Sequence, residues 1–225
     1  MPDTSRNLQS IDNVYWLRQS FQNGIPADCV FAYRKLLNQI IGHNKTLIDS
    51  IIQEAGGKIF FPMDTSFLEG YFDGFTFEYR PFTVGLLTDQ GQEGHWEYSP
   101  HDRSHIIIFY NSSSPEHRQR FTKIHELFHF IQTLDRQFLK FLDELIVNTT
   151  LPACVVNKLL ERGTDKAAAM YLMPNRYFQE KYLEIQQESA AVPKATIVEH
   201  LAQYFGVSRD SADFRLNECG IYVPI

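Results

Sequence analysis

The stretch FTKIHELFHFIQ, residues 121–132, places two histidines four apart, with a glutamate directly after the first. On an α-helix, residues four apart lie about 40° apart in projection and roughly 6 Å apart along the axis, on one face. His125 and His129 can therefore aim two imidazoles at one point. Glu126 sits about 100° further round the helix, poorly placed as a ligand on the same ion but within reach of a water beside it. That is the chemistry of the HExxH arrangement: Zn2+ makes water more acidic, and the glutamate takes the proton and returns it to the leaving amine. The stretch also fits a plain amphipathic helix. Phe121, Ile124, Phe128 and Ile131 make an apolar face and leave both histidines at its polar edge.

A catalytic zinc takes three protein ligands and keeps one open position. Asp135, Asp143, Glu144, Glu161 and Asp165 all follow the histidines. Periodicity separates them: Glu161, Asp165, Ala168, Ala169 and Leu172 fall on one face of a helix. Two carboxylates on an otherwise buried face are costly unless paired or bound to metal. Glu161 is thus the candidate third ligand. Asp165, one turn on, is placed to accept a hydrogen bond from a ligand histidine. The small Ala167, Ala168 and Ala169 admit a close neighbour. Both acids also lie near a helix N-terminus, where the dipole favours carboxylates without any metal. Asp143 and Glu144 read as a solvated face.

Around this pair of helices the 225-residue chain reads as an ordinary globular protein, 44% apolar and 21% charged. A net charge of −6 argues against a broad phosphate-binding surface, so nucleic acid is not the expected partner. No apolar run approaches the roughly 20 residues of a membrane span. The polar N-terminus MPDTSRNLQS lacks the layout of a secretory signal. Cys29, Cys154 and Cys219 are odd in number and far apart, so neither a disulfide framework nor a thiolate metal site is indicated. The expected compartment is the cytoplasm.

The order of elements predicts an α+β fold. PADCVFAYRKLLNQIIG (residues 26–42) reads as a helix stopped by Gly42, and NKTLIDSIIQEAGG (44–57) as a second helix capped by Asn44. KIFFPM, FTFEYR and TVGLLT are short β-prone runs, and DQGQEGHWEYSPHDRS (89–104) reads as a surface loop. HIIIFYN (105–111) is the clearest strand, and Ser114 is a candidate cap for the histidine helix. Helices follow: QFLKFLDELIV, another from about residue 151 to 172, and a tail that turns at Gly206. The βαβ alternation of a parallel sheet is missing, so a small, twisted, mainly antiparallel sheet packed on the histidine helix is expected. The division is 1–57 as an N-terminal helical segment, 58–190 as the core and 191–225 as a C-terminal helical tail, packed as one compact unit.

Three motifs in order, RQRFTKIHELFHF, ERGTDKAAAMYLMPNRYF and LAQYFGVSRDSADFRL, resemble the ImmA/IrrE family of metallopeptidases. The resemblance covers about residues 105–220 and implies a zincin-like fold. It matches His125 and His129 to zinc ligands, Glu126 to the catalytic glutamate, Glu161 to the first acid of the second motif and Asp165 to its Asn/Asp position. The chain departs from the family at Phe128 (usually Gly), Gly163 (usually Glu or Gln), Thr164 (usually Ala) and Ala167 (usually Phe). Were the family's ligand the second acid of its motif, Gly163 would leave that position empty; Glu161 is preferred. The bulky Phe128 raises the expectation of an altered active-site wall.

By resemblance, the partner is a protein substrate, typically a helix-turn-helix repressor whose loss releases stress or mobile-element genes. By analogy with zincins, HIIIFYN would be the sheet edge along which an extended peptide pairs. No oxyanion donor is assigned from the sequence: Tyr171, His200 and Tyr204 are the candidates, and a structural role suits each of them better. The tail has the outline of a DNA-binding helix-turn-helix, but Asp210, Asp213 and Glu218 offset Arg209 and Arg215, which favours a packing element. The competing reading is a non-proteolytic binding module of zincin fold that sequesters a regulator or contacts DNA.

Overall fold

The computed structural model describes residues 25–56, 59–83, 93–148, 151–188 and 192–221. Within them, a 3-10 turn (Ala27–Cys29) leads into α1 (Val30–Glu54), and the short α2 (Ser66–Tyr71) precedes three strands, β1 (Thr76–Phe82), β2 (Gly94–Ser99) and β3 (Asp102–Asn111). Five helices follow: α3 (Glu116–Leu134), α4 (Arg136–Asn148), α5 (Ala153–Leu172), α6 (Asn175–Glu188) and α7 (Lys194–Phe205), with α8 (Arg209–Glu218) closing the tail. The architecture is α+β, as expected.

The three strands run in the order β1-β3-β2. β1 pairs with β3 in parallel, from Thr76 opposite His105 to Phe82 opposite Asn111. β2 pairs with β3 antiparallel, from Gly94 opposite Tyr110 to Tyr98 opposite Ile106. The sheet is therefore evenly mixed rather than mainly antiparallel. β3, the HIIIFYN strand, lies in its centre and is not the edge expected from the sequence. The edges among the described strands are β1 and β2.

Two readings of the sheet region change. GHWEYS is strand β2, not part of a surface loop. Trp96 and Tyr98 alternate with Glu97 and Ser99, a period-two pattern hidden by the Gly, Gln, Pro and Asp around it. KIFFPM forms no strand over its described residues 59–63; Phe61 instead packs its ring on Phe205, 4.7 Å away, and on Tyr177 and Tyr204. TVGLLT beyond Thr83 lies outside the described residues.

The first helical region is one helix, not two. Gly42 costs helix propensity but meets nothing within 4 Å, and the apolar stripe Leu37, Ile40, Ile48 and Ile51 runs straight through it. Asn44 does not cap a helix; it is buried and donates Nδ2 to the Gly163 carbonyl of α5 at 3.2 Å. Glycine at 163 is what admits α1 so close: a Cβ there would stand 2.4 Å from Cγ2 of Ile40. Tyr33, Leu37 and Ile40 of α1 share one apolar cluster with Phe138 of α4 and Val155 and Leu159 of α5.

The second and larger cluster surrounds α3. Ile124, Leu127, Phe128, Phe130 and Ile131 pack with Ile106 and Ile108 of β3, Ala167, Ala168 and Tyr171 of α5, and Leu201, Phe205 and Leu216 of the tail. Burial of each large apolar side chain contributes about 1.5–3 kcal/mol. Ser114 is not the cap of α3, a position that Pro115 occupies; the Ser114 hydroxyl donates to Glu93 Oε2 at 2.8 Å.

The tail follows the sequence closely. Gly206 takes the left-handed conformation, φ 62°, that ends α7, and Ser208 caps α8 by accepting from the Ser211 N–H at 3.1 Å. Arg215 is buried and donates Nε and Nη2 to the Met173 carbonyl, both at 3.1 Å. Arg209 pairs with Glu199 at 3.1 Å. Among the described residues, no helix is long and apolar enough to cross a membrane.

Candidate metal centre

α3 presents His125 and His129 one turn apart, and α5 brings Glu161 across to them. The Nε2 atoms of the two rings stand 2.9 Å apart. One Glu161 oxygen lies 3.4 Å from Nε2 of His125 and the other 3.4 Å from Nε2 of His129. A tetrahedral site with Zn–N and Zn–O bonds of about 2.0–2.2 Å has ligand atoms about 3.3–3.5 Å apart. Each ring faces a different Glu161 oxygen at about that separation and the nitrogen pair is tighter; two imidazoles and one carboxylate are the donor types and number of a catalytic zinc site. Among the described residues this is the one cluster of three such donors within ligand reach of each other.

The surroundings are anionic and partly dry. Burial opposes a proton on His125, but the carboxylates of Asp165 and Glu161 outweigh it and hold the ring's pKa up at about 9. Hydrogen bonds to His125 and His129 hold the Glu161 carboxyl well below the usual carboxylate range. The negative field that keeps a proton on His125 also suits a divalent cation. Asp165 Oδ1 lies 3.1 Å from Nδ1 of His125, an ion-pair distance, though off the line of a good hydrogen bond. Thr164 Oγ1 stands 3.5 Å from Nδ1 of His129.

Glu126 faces β2 and is only 8% exposed. Burial pushes its carboxyl up, against the opposing charges of His125 and His129. Gly94 makes the approach of β2 possible: a Cβ there would stand 2.4 Å from Thr122 Cγ2 and 3.2 Å from Glu126 Cγ. Two depressions meet at Gly94, Glu126 and Glu161. One, of about 570 Å³, runs past His129 to Trp96, Phe138 and Leu160. The other, of about 260 Å³, runs past His125 to Arg118, Phe121 and Asp165.

Several sequence expectations sit differently in space. Glu161 is not on a buried face; its side chain is 62% exposed and Asp165 is half-exposed, so the middle of α5, well beyond the helix N-terminus, borders a cleft where it carries them. Gly163 faces α1, away from the histidines, and the family's usual second acid has no counterpart at the centre. Phe128 is fully buried, with its ring edge-on to Tyr171, and forms no wall of the site. Tyr171 spends its hydroxyl on the Asp64 carbonyl at 2.8 Å, and His200 and Tyr204 line neither depression. The residues that sequence reasoning missed are Gly94 and Trp96 of β2, because the strand itself was missed.

Residues 86–217 match the peptidase family described as the IrrE N-terminal-like domain. No curated protein matches the chain in sequence. Among solved structures, a Mycobacterium tuberculosis transcriptional regulator is similar in fold, with a TM-score of 0.50 at 12% identity. The superposition covers 82% of this chain and 51% of that one, so this chain spans about half of that protein's length. At that identity the likeness shows the fold alone. The family match extends over more than half of the chain and carries both the histidine helix and α5, and on that ground the protein belongs to the ImmA/IrrE family, whose hallmark is a metallopeptidase domain.

Proposed function

We propose that the protein is a zinc-dependent endopeptidase of the cytoplasm that cleaves or inactivates a protein partner, with a helix-turn-helix transcriptional repressor as the expected substrate. The observation that carries this reading is the convergence of His125, His129 and Glu161 on one point with Glu126 buried beside it. His125, His129 and Glu161 would hold Zn2+, which would supply the Lewis acidity that acidifies water and polarises a scissile carbonyl. Glu126 takes the water's proton on a carboxylate oxygen as the water oxygen attacks the carbonyl carbon. Burial raises the affinity of that carboxylate for the proton, which it then passes to the amine nitrogen as the C–N bond breaks. Asp165 steadies the His125 ring through Nδ1.

β2 takes over the role expected of HIIIFYN. It is an edge of the sheet among the described strands, and its Gly94 and Trp96 line the depression beside the donors, so an extended peptide laid along it would cross the centre.

The second reading is a binding module of the same fold without proteolysis, one that sequesters a regulator; the Mycobacterium tuberculosis protein of similar fold is named a transcriptional regulator. Glu126→Gln separates the two. The zinc-loaded variant is expected to capture its partner from a lysate of its own source and hold it intact, while the wild type cuts the captured protein at least roughly 100-fold faster. A partner held by both proteins and cut by neither would sink the peptidase reading in favour of the binding module.

A further inference from the structure

The 570 Å³ depression has a wall no catalytic role explains. Trp96 of β2, Phe138 and Leu142 of α4 and Leu160 of α5 make it largely apolar. Gln132, one turn beyond His129 on α3, also lines it. This side chain is only 7% exposed, and its Nε2 has no hydrogen-bond partner. Its Oε1 accepts from Thr164 Oγ1 at 3.3 Å, and the same hydroxyl lies 3.1 Å from the Leu160 carbonyl. Buried amides without partners are rare because the lost hydration goes uncompensated. A purely apolar occupant would seal the Gln132 amide off unpaired. An acidic one would meet the carboxylates of Glu126 and Glu161 at the mouth.

Resting on the peptidase reading, we propose that this depression is the subsite for the substrate side chain next to the scissile bond. It selects an aromatic side chain with a hydroxyl tip, of the tyrosine class, which bonds the Gln132 amide. The volume holds a phenol ring together with the backbone that carries it. A hydroxyl both donates and accepts, so it satisfies the amide whichever of its two ends faces the cavity. Packing against Trp96, Leu142 and Leu160 holds the ring, and Gln132 distinguishes tyrosine from phenylalanine.

The probes are three hydroxamates of one dipeptide, differing only in whether Tyr, Phe or Gly carries the hydroxamate. Binding is measured by calorimetry on zinc-loaded wild type and on Gln132→Leu, beside the melting temperature of each metal-free protein. The Tyr probe is expected to bind the wild type roughly tenfold more tightly than the Phe probe, one hydrogen bond's difference. The Phe probe should bind roughly 10- to 100-fold more tightly than the Gly probe. In Gln132→Leu the Tyr preference should vanish, while the variant melts close to the wild type, because Nε2 has no partner to lose and Thr164 Oγ1, deprived of Oε1, keeps the Leu160 carbonyl. Equal binding of all three probes would leave the metal centre standing and overturn the subsite. A Tyr preference that survives in Gln132→Leu, or a variant that melts well below the wild type, would show the amide to be structural and overturn its selective role. Binding of none would remove the metal centre, and the subsite with it.

Discussion

His125, Glu126 and His129 were legible because a helix fixes its own geometry: a four-residue spacing puts two rings on one side whatever lies around them. Glu161 was legible for a reason that turned out not to hold. Periodicity placed it on a buried face, whereas it stands exposed at the rim of a cleft, and what identifies it is the 3.4 Å approach to both rings. Gly163 shows why a family pattern alone did not settle the third ligand. Its position is taken by a helix contact that no local sequence signal announces. Asp165 acts on the centre through His125. Asp165→Ala is expected to weaken zinc binding by roughly 10- to 100-fold, read by competition with a chromogenic chelator, without removing a ligand. An unchanged affinity would reduce Asp165 to a surface acid paired with Arg162.

At the scale of elements, misreadings concentrated where tertiary contacts override local preference. α1 passes Gly42 because its apolar stripe continues on the far side, and Asn44 exchanges a capping role for a buried bond to Gly163. β2 was read as loop because an edge strand of six residues has little room for a periodic signal among turn-forming neighbours. The contact of α1 with α5 gives one test. Gly163→Ala gains about 1 kcal/mol of helix propensity. It also places a methyl against a β-branched side chain whose Cβ would be 3.4 Å away, an overpacking cost of about 1–3 kcal/mol. The expected outcome is a net loss in urea denaturation. Combined with Ile40→Ala the losses should fall short of additivity by at least about 0.5 kcal/mol, and strict additivity would deny the contact.

Asp135, between α3 and α4, gives another test at this scale. It accepts from the backbone N–H of Gln137 and Phe138 at 2.9 and 3.0 Å and pairs with His43 of α1 at 2.7 Å. Burial works against its ionisation, but the Phe138 N–H and His43 outweigh it and hold the carboxyl below its ordinary value. A depressed carboxyl contributes stability above its unfolded pKa of about 4, and that contribution is lost as pH falls through the folded value. Asp135→Ala should therefore cost about 1–2 kcal/mol at about pH 7, with the gap to the wild type closing in denaturation curves taken below about pH 4. A gap that stays constant to about pH 3 would mean that the neutral side chain serves equally well.

At the scale of the molecule, the fold places one exposed acid beside two half-buried histidines and leaves open cleft on either side of them. The tail packs into the same core through Phe205 and Leu216, and buried Arg215 ties α8 to the start of α6 at Met173 and Asn175. A basic residue committed to that junction is not presented to phosphate, which suits a peptidase unit better than a DNA reader. The central claim is that His125, His129 and Glu161 together hold one zinc ion. Elemental analysis of purified protein, wild type beside Glu161→Ala and each dialysed after loading, tests it most directly. About one zinc per chain in the wild type is expected, with clear loss in the variant. A wild type that retains no zinc, or a variant that retains as much as the wild type, would contradict the account.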